Sequence, residues 1–239
     1  YQYIDFETDQ LNNETEIGRI VSVFEWGQES CQYGMSTEGA RKLLSLKGNA
    51  TFDLIIVEAM LEECFLAFIP IFGNPPFIAI TAFGDPPWAH DMVGNPINPS
   101  WTSTYMLPYI HPMTFNQRLI NFILHVFTIY YRRFYHLPYM DSIAHKYLGD
   151  NIPPVSEIEK NASLVMVNTH FSIDQQQPLV PAMIPVGGMH IKQGELEEVI
   201  IVHYYTDQNC VFYTGNLNYK YIYILLIYLK SNFVILVRS

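Results

Sequence analysis

Carboxylates gather at the end of one short apolar run in this chain. Residues 52–57 are mostly apolar, Glu58 follows them directly, and Glu62 and Glu63 come soon after. A continuous apolar run, rather than an alternating one, favours a strand buried on both faces of a parallel sheet. Ligands bind at the carboxyl edge of such sheets, so Glu58 is a candidate site group. The alternative is that these acids only stabilise a helix N-terminus through its dipole, which suits Glu62 and Glu63 better than Glu58.

The neighbouring segments predict the sheet that would position these acids. A second apolar run at 77–82 is separated from the first by a helix-like segment at 64–72. Strand, helix and strand form a unit that is right-handed in nearly all known cases. Two further short strands are predicted at 163–168 and 184–186. The alternation of strands and helices predicts an α/β domain.

The other predicted elements are helices at 37–46, 114–136 and 139–148 and a short strand at 20–24. Thr114 and Gln117 form a capping box at the start of the longest helix. Polar residues then recur at steps of three and four, as one thin stripe on an apolar cylinder. This pattern predicts a helix that is mostly buried, and we expect Pro138 to end it.

Residues 84–113 contain six prolines, which predicts a long ordered loop without regular elements. His90 and His111 lie in this loop and are predicted to face solvent. Loops of this length in compact domains are usually functional when they are ordered.

Composition excludes several classes of function. The net charge of −10 argues against a nucleic-acid footprint and against a polybasic membrane patch. Cys31, Cys64 and Cys210 lie far apart without a C-x-x-C pair, which predicts neither a zinc site nor a disulfide framework. Cys64 is then expected to be a small buried apolar residue. We expect no metal and no bound cofactor.

Three Asn-x-Ser/Thr triplets, at Asn13, Asn49 and Asn161, are weak indications of a secretory compartment. No signal peptide is visible at the start of the sequence. The segment 221–237 is apolar enough to suggest a membrane span, but Lys230 and Asn232 interrupt it. The unbroken part is shorter than the ~20 residues that a bilayer requires.

A set of sequence words resembles one enzyme family. They are FDLIIVEA, CFLAF, FGDPPW, DMVGNPINPS, LPY, MTFNQRLIN, KYLGDNIPP, NASLVMVNTHFS and PLVPAMIPVGGMHIK. Together they are similar to the family 1 UDP-glycosyltransferases, particularly the insect glucosyl- and glucuronosyltransferases. The resemblance covers residues 1–192 and implies a partial N-terminal, acceptor-binding domain. The remaining residues, 193–239, form an Ile-, Tyr- and Asn-rich tail without a match, and we interpret them as a gene-model artefact rather than a membrane anchor.

The resemblance implies a Rossmann-like parallel sheet with flanking helices, as the N-terminal half of a two-domain GT-B glycosyltransferase. The words of the family's donor-binding domain are absent, and so is the first strand with the loop that carries the catalytic histidine. The fragment is therefore expected to be inactive alone and to bind no cofactor, because the UDP-sugar belongs to the other domain.

The resemblance also implies roles for particular residues. Glu58 corresponds to the carboxylate that orients the family's catalytic histidine, with Glu63 as the alternative. Several apolar residues of the following loop could line an acceptor pocket, since such pockets are mostly hydrophobic. They are Phe83, Trp88, Met92, Trp101 and Met106. Core packing beneath a long loop is an equally good interpretation of each.

The leading hypothesis is that the chain is a fragment of an enzyme that transfers a hexose from a UDP-sugar to a hydroxyl of a small lipophilic acceptor, with inversion of the sugar's configuration. Its parent would act in detoxification as a glycoprotein at the lumenal face of the endoplasmic reticulum membrane, held there by a C-terminal span. The alternatives are a non-catalytic domain that binds a small molecule or a protein partner, and an unrelated α/β binding domain.

Overall fold

A parallel sheet organises the molecule. The computed structural model describes residues 15–82, 84–104, 107, 109, 112–172 and 177–188, and the backbone of residues 234–237. Its strands are β1 (Leu54–Glu58), β2 (Phe77–Thr81), β3 (Leu164–Val167), β4 (Met183–Pro185) and β5 (Val234–Val237). The sheet order is β4-β3-β2-β1-β5, and the first four strands are parallel. The predicted Rossmann-like α/β fold is confirmed, as are the four strands predicted in it.

The edge strand β5 runs antiparallel to β1, with Leu54 opposite Val237 and Val57 opposite Val234. This strand lies in the segment predicted to be an unmatched tail. The remainder of the apolar segment 221–237 lies outside the described residues. Among the helices that are described, none is long and apolar enough to cross a membrane.

The chain begins its described part with α1 (Glu16–Ser36), followed by α2 (Glu38–Ser45). Thr15 caps α1 by accepting a hydrogen bond from the backbone of Gly18 at 3.1 Å. The strand predicted at 20–24 is therefore wrong. The apolar residues of that window belong to a longer helical stripe whose buried members recur at steps of three and four. They are Ile20, Val23, Phe24, Gly27, Cys31 and Met35.

Between β1 and β2 the chain forms a 3-10 turn (Glu63–Ala67) and the short helix α3 (Phe68–Ile71). The helix predicted at 64–72 is thus present, although half of it is 3-10. Cys31 of α1 and Cys64 of the 3-10 turn form a disulfide. Cys64 is buried as predicted, but the prediction that the cysteines form no disulfide framework is wrong, because the fold brings together two cysteines that lie far apart in sequence.

The prediction that residues 84–113 contain no regular element is also wrong. Residues Pro87–Val93 form α4, which ends at Gly94 in the left-handed conformation with a φ of 66°. Proline is tolerated in the first turn of a helix, where its missing N–H would have no intrahelical partner. The prolines before α4 therefore mark its start rather than exclude it.

The longest helical element is α5 (Phe115–Tyr131), a π-helical turn (Arg132–His136) and α6 (Leu137–Leu148), in direct succession. The predicted capping box of Thr114 and Gln117 is confirmed. Pro138 lies in the first turn of α6 and does not end the helix. The π turn explains this. The backbone N–H of Leu137 donates to the carbonyl of Arg132, five residues back, so the regular helical hydrogen-bond pattern is already shifted before the proline.

The prediction of a mostly buried α5 is wrong, because its polar stripe faces the protein and its apolar side faces out. Asn121, His125, Thr128 and Arg132 are buried. Large apolar side chains on the opposite side of α5 and the π turn are exposed. They include Phe115, Leu119, Phe122, Ile123, Tyr130 and Phe134.

The last short elements are α7 (Val155–Ile158) and a 3-10 turn (Glu159–Asn161) before β3. Buried apolar residues form one core cluster over the sheet and a second around Phe24, Trp88 and Leu124. The two clusters meet near the carboxyl end of β1, where the carboxylates lie.

Candidate functional site

Glu58 is the last residue of β1 and lies at the carboxyl edge of the parallel strands. Its side chain is partly buried. Burial raises the pKa of this carboxyl to about 7, because desolvation disfavours the charged form. Within the part of the chain that the structure describes, no hydrogen bond or ion pair of the Glu58 carboxylate is found.

The turn after Glu58 is held on two sides. The indole Nε1 of Trp88 donates to the carbonyl of Ala59 at 2.9 Å, which ties the turn to α4. On the other side, Leu61 has a φ of 66°, and α1 passes so close that only glycine fits at position 27. A Cβ on Gly27 would lie 2.5 Å from the Leu61 carbonyl oxygen, well inside van der Waals contact. The position of Glu58 thus depends on two helices as well as on its strand.

Glu63 is in a different environment, because an arginine and a histidine contact its carboxylate in the interior. Arg132 donates to Glu63 Oε1 from Nη2 at 2.9 Å and from Nε at 3.2 Å. The Nε2 atom of His136 lies 2.8 Å from the other oxygen. Burial alone would raise the pKa of Glu63, but His136 and Arg132 outweigh it and lower the pKa to about 2.

A second carboxylate completes this buried network. Arg132 Nη2 also donates to Glu159 Oε2 at 2.5 Å. Burial raises the pKa of Glu159 more than Arg132 lowers it, whereas the pKa of Glu63 is lowered overall. Glu62 lies beside this network without being part of it, and burial, followed by the charges of Glu58 and Glu63, raises its pKa well above the usual value.

Four of the predicted site residues line one small cavity: Glu58, Glu63, Trp88 and Met92. Only about 10 Å³ of this cavity is open to the centre of a water molecule, which is room for about one water. Trp88 and Met92 are buried in the two core clusters, whereas Trp101 is 45% exposed and does not line the cavity. Phe83 and Met106 lie outside the described residues, so an acceptor-binding role for these five residues stays a prediction.

The prediction that His90 faces solvent is wrong, since its side chain is only 1% exposed. Its Nδ1 accepts from the Nδ2 of Asn95 at 2.7 Å, and its Nε2 lies 3.6 Å from the Asp85 carboxylate. Gln177 in turn donates to Asp85. This cluster ties the loop before α4 to the segment before β4. His111 lies outside the described residues.

Sequence reasoning did not identify Arg132, His136 and Glu159 as partners of Glu63. One signal was present, because Arg132 continues the polar stripe of α5 that the helical spacing reveals. His136 and Glu159 gave no such signal.

The remaining predicted sites stay predictions. Asn49 and Asn161 are exposed, and Asn13 lies outside the described residues. Among the residues that can be described, no group of three His, Cys, Asp or Glu side chains is arranged to hold a metal ion.

Comparison with known proteins places the chain in a family. The model of the UDP-glucuronosyl and UDP-glucosyl transferase family matches residues 5–205. The chain is 36% identical over 150 residues to UDP-glucosyltransferase 2 of Dactylopius coccus, a match that covers 60% of this chain and 28% of that protein. It is 35% identical over 149 residues to UDP-glycosyltransferase UGT5 of the same insect, covering 62% of this chain and 28% of the relative.

A vertebrate relative is UDP-glucuronosyltransferase 3A1 of Bos taurus, 31% identical over 152 residues, which are 62% of this chain and 27% of that protein. The chain thus spans little more than a quarter of the length of these three relatives. No solved structure matches it. The family match extends past residue 192, where the sequence predicts a domain boundary, and that boundary stays a prediction. The match covers most of the chain and confirms the resemblance seen in the sequence words: the chain belongs to the UDP-glucuronosyl and UDP-glucosyl transferase family.

Proposed function

We propose that this chain is the acceptor-binding part of a UDP-glycosyltransferase, and that Glu58 is the carboxylate that orients the catalytic histidine. The observation that carries the assignment is the contrast between two glutamates. Glu58 lies at the sheet edge with its carboxylate unengaged by the described residues, whereas Glu63 is already ion-paired with Arg132 and bonded to His136. Glu63 Oε1 already accepts two hydrogen bonds from Arg132 and Oε2 lies 2.8 Å from His136, so another histidine would have to compete with these buried partners. The alternative assignment to Glu63 is therefore the weaker one.

In the proposed reaction a histidine removes the proton from the acceptor hydroxyl as its oxygen attacks the anomeric carbon of the UDP-sugar. The bond from that carbon to the UDP oxygen breaks, UDP leaves with the electron pair, and the configuration inverts. Glu58 would hold the imidazole in position and stabilise the imidazolium. An imidazolium beside Glu58 would also lower the pKa of Glu58 from about 7, since an opposite charge favours the ionised carboxylate.

The proposed acceptor is small and lipophilic, and the proposed wall of its site consists of Trp88, Met92 and Trp101, with Phe83 and Met106. The support is the apolar character of Trp88 and Met92 next to Glu58 in the cavity lining. Because that cavity has room for about one water, an acceptor would have to widen it by moving α4 away from the turn after Glu58.

Two measurements on the 239-residue chain test the proposal. Incubation with UDP-glucose and a phenolic acceptor is expected to give no glucoside, because we assign the donor site and the histidine to other parts of the protein. Sustained turnover would contradict that assignment. Calorimetry with a phenol or a flavonoid is expected to show binding that weakens in Trp88→Ala but not in Tyr33→Ala, an exposed aromatic residue of α1. Equal binding by both variants would contradict the acceptor wall.

We also propose that the parent protein lies in the lumen of the endoplasmic reticulum, anchored to its membrane. The Cys31–Cys64 disulfide supports an oxidising compartment, and exposed Asn49 and Asn161 are accessible to glycosylation. Expression in insect cells followed by glycosidase treatment should show a drop in apparent mass that Asn49→Gln and Asn161→Gln together reduce. An unchanged mass in wild type would contradict a lumenal location.

A further inference from the structure

The exposed apolar side of α5 and the π turn forms one continuous face. Its members lie at spacings of four, three, one, seven and four residues, which places them along one side of a helix. Phe115 is 70% exposed, Phe122 is 53% exposed and Phe134 is 60% exposed. Phe134 stacks on Tyr130 with a ring-centroid distance of 5.8 Å, so the π turn does not interrupt the face. We call this set the α5 face: Phe115, Leu119, Phe122, Ile123, Tyr130 and Phe134.

Polar contacts on the opposite side fix the orientation of this helix. Asn121 is fully buried and accepts a hydrogen bond from the backbone of Thr104 at 2.6 Å. It also donates to the carbonyls of Pro99 and Thr102 at 2.6 and 2.8 Å. Four residues beyond Thr128 on the same side, Arg132 is ion-paired with Glu63 and Glu159. Turning the helix to bury the α5 face would break this network, so the apolar side remains outward.

The charged side chains of the helix that carries the α5 face are all positive on its exposed side. The acid of another element that acts on this helix there is Glu25 of α1, since burial, followed by the charge of Glu25, raises the pKa of Tyr131. No Asp or Glu occurs between Asp91 and Asp141, although the chain as a whole carries a net charge of −10. Arg118 and Arg133 are both exposed on the helix that carries the face. An extended apolar face on a helix that carries exposed cations and no acids of its own is complementary to a surface that is apolar inside and anionic outside.

We propose that the α5 face docks on a phospholipid bilayer containing anionic headgroups, with the helix lying parallel to the membrane surface. The span from Phe115 to Phe134 is about 28 Å at the rise of an α-helix. The aromatic and aliphatic side chains enter the boundary between headgroups and acyl chains, while Arg118 and Arg133 contact the anionic headgroups. The buried polar side keeps the rest of the domain above the bilayer.

A second copy of this chain is the rival occupant, and the charges disfavour it. A two-fold interface brings the same patch of two molecules together. The arginines of one α5 face would then approach those of the other without an acid on either helix to pair with them, and like charges across an interface are costly.

The test is flotation of the full 239-residue chain with phosphatidylcholine vesicles, with and without phosphatidylserine. We expect binding that increases with phosphatidylserine and decreases at high salt. The double variant Phe122→Glu/Phe134→Glu should lower the partition constant at least about tenfold. The matched control, Tyr33→Glu/Phe171→Glu, replaces two aromatic residues outside the α5 face that are even more exposed, and it should bind as wild type does.

A charge variant separates the electrostatic contribution of the arginines from the apolar contribution of the α5 face. Arg118→Gln/Arg133→Gln should lower binding to the phosphatidylserine vesicles by about fivefold per arginine and leave binding to phosphatidylcholine unchanged. Circular dichroism checks that each variant is folded, which we expect because every substituted side chain is exposed.

Three results would overturn the proposal. The first is that the wild type binds neither kind of vesicle, and the second is that the matched control loses as much vesicle binding as Phe122→Glu/Phe134→Glu. The third is that light scattering without vesicles shows a dimer that only Phe122→Glu/Phe134→Glu dissociates. The last result would assign the α5 face to a second copy. Because the readout is lipid binding, none of these outcomes depends on the proposed transferase function.

Discussion

At the scale of single residues, two glutamates five positions apart have opposite electrostatics. Glu58 has a pKa raised to about 7 by burial, and Glu63 has a pKa lowered to about 2 by His136 and Arg132 against burial. Both pKa values differ from those of the unfolded chain, so both affect how stability depends on pH. The raised pKa means that the folded state prefers Glu58 protonated, and the lowered pKa means that it prefers Glu63 ionised.

The first prediction concerns Glu58→Gln. A folded pKa of about 7 gives stability that is present below the unfolded pKa of ~4.3 and is lost as pH rises through 7. The neutral amide removes this loss. A pKa shift of this size corresponds to about 3 kcal/mol of stability. Because Glu58 is partly exposed to solvent, we expect Glu58→Gln to raise the free energy of unfolding by only about 1–2 kcal/mol at pH ~8, and hardly at all at pH ~4. Urea unfolding at the two pH values measures it.

Glu29→Gln on the exposed side of α1 is the control, and we expect its effect to be the same at both pH values. A Glu58→Gln variant no more stable than wild type at the higher pH would mean that the carboxylate is paired or well solvated there.

The second prediction concerns the Arg132 network. Arg132→Met leaves Glu63 and Glu159 buried without their guanidinium, and breaking a buried pair in this way costs about 3–5 kcal/mol. Arg133→Met changes the exposed neighbour and should alter the free energy of unfolding by less than about 0.5 kcal/mol. Chemical denaturation of both variants compares them directly. Similar losses in the two would show that Arg132 contributes no more than a surface residue.

At the scale of elements, long-range links hold α1 against the turn that follows β1. The Cys31–Cys64 disulfide closes a sequence separation of 33 residues. Phe24 of the same helix packs against Trp88 with ring centroids 6.0 Å apart, next to the hydrogen bond from Trp88 to Ala59. The segment after Glu58 is therefore fixed by the disulfide from α1 and by the hydrogen bond from α4, against which α1 packs.

The third prediction follows from the disulfide. Cys31→Ala together with Cys64→Ala should lower the free energy of unfolding by about 3–4 kcal/mol, the loop-closure entropy for a loop of this length. A reducing agent should destabilise the wild type by a similar amount and leave the double variant unchanged. Unfolding curves with and without reductant measure both effects. A wild type that is insensitive to reductant while folded thiols are detected would show that the disulfide does not form.

The sequence pattern predicted those elements that are determined by residues close together in the chain. Strands β1 to β3 were identifiable because each is a short continuous apolar run, and the capping box marked the start of α5. The strand expected at 20–24 was wrong because a five-residue window is shorter than the helical stripe of α1 that contains it. The π turn and the inverted burial of α5 could not be predicted, because a polar stripe has the same spacing whether it faces solvent or buried partners.

In the candidate site, too, features set by neighbouring residues could be predicted, whereas contacts between distant residues could not. Glu58 could be proposed from its place at the end of a strand, whereas the partners that distinguish it from Glu63 lie far away in sequence. Arg132 is 69 residues from Glu63, and His136 is 73 residues away. The Cys31–Cys64 pair was missed for the same reason. Such contacts exist only once the sheet and the long helix are packed together.

At the scale of the whole molecule, β5 determines how the sheet ends. Its backbone pairs with Leu54 through Val57 of β1, so the edge next to the candidate site is covered by a distant part of the chain. An uncovered edge strand of apolar residues presents unpaired N–H and C=O groups, which favour pairing with another molecule.

The fourth prediction is that removal of residues 233–239 exposes this edge and causes self-association. Light scattering at increasing protein concentration should show oligomers in the truncated chain. Removal of residues 238–239 alone retains β5 and serves as the matched control, which should keep the behaviour of the full chain. A truncated chain that stays as monodisperse as this control would show that β5 does not protect β1. That result would also favour the interpretation of residues 193–239 as an artefact.

The close approach at Gly27 has a consequence for sequence variation. No side chain is compatible with the present distance between α1 and the Leu61 carbonyl, because even a methyl group would overlap it. A substitution there would displace the turn that begins at Glu58, although position 27 carries no functional group of its own. Natural alleles and mutational scans should therefore record position 27 as intolerant, and its variants should resemble loss of Glu58 rather than ordinary helix mutations.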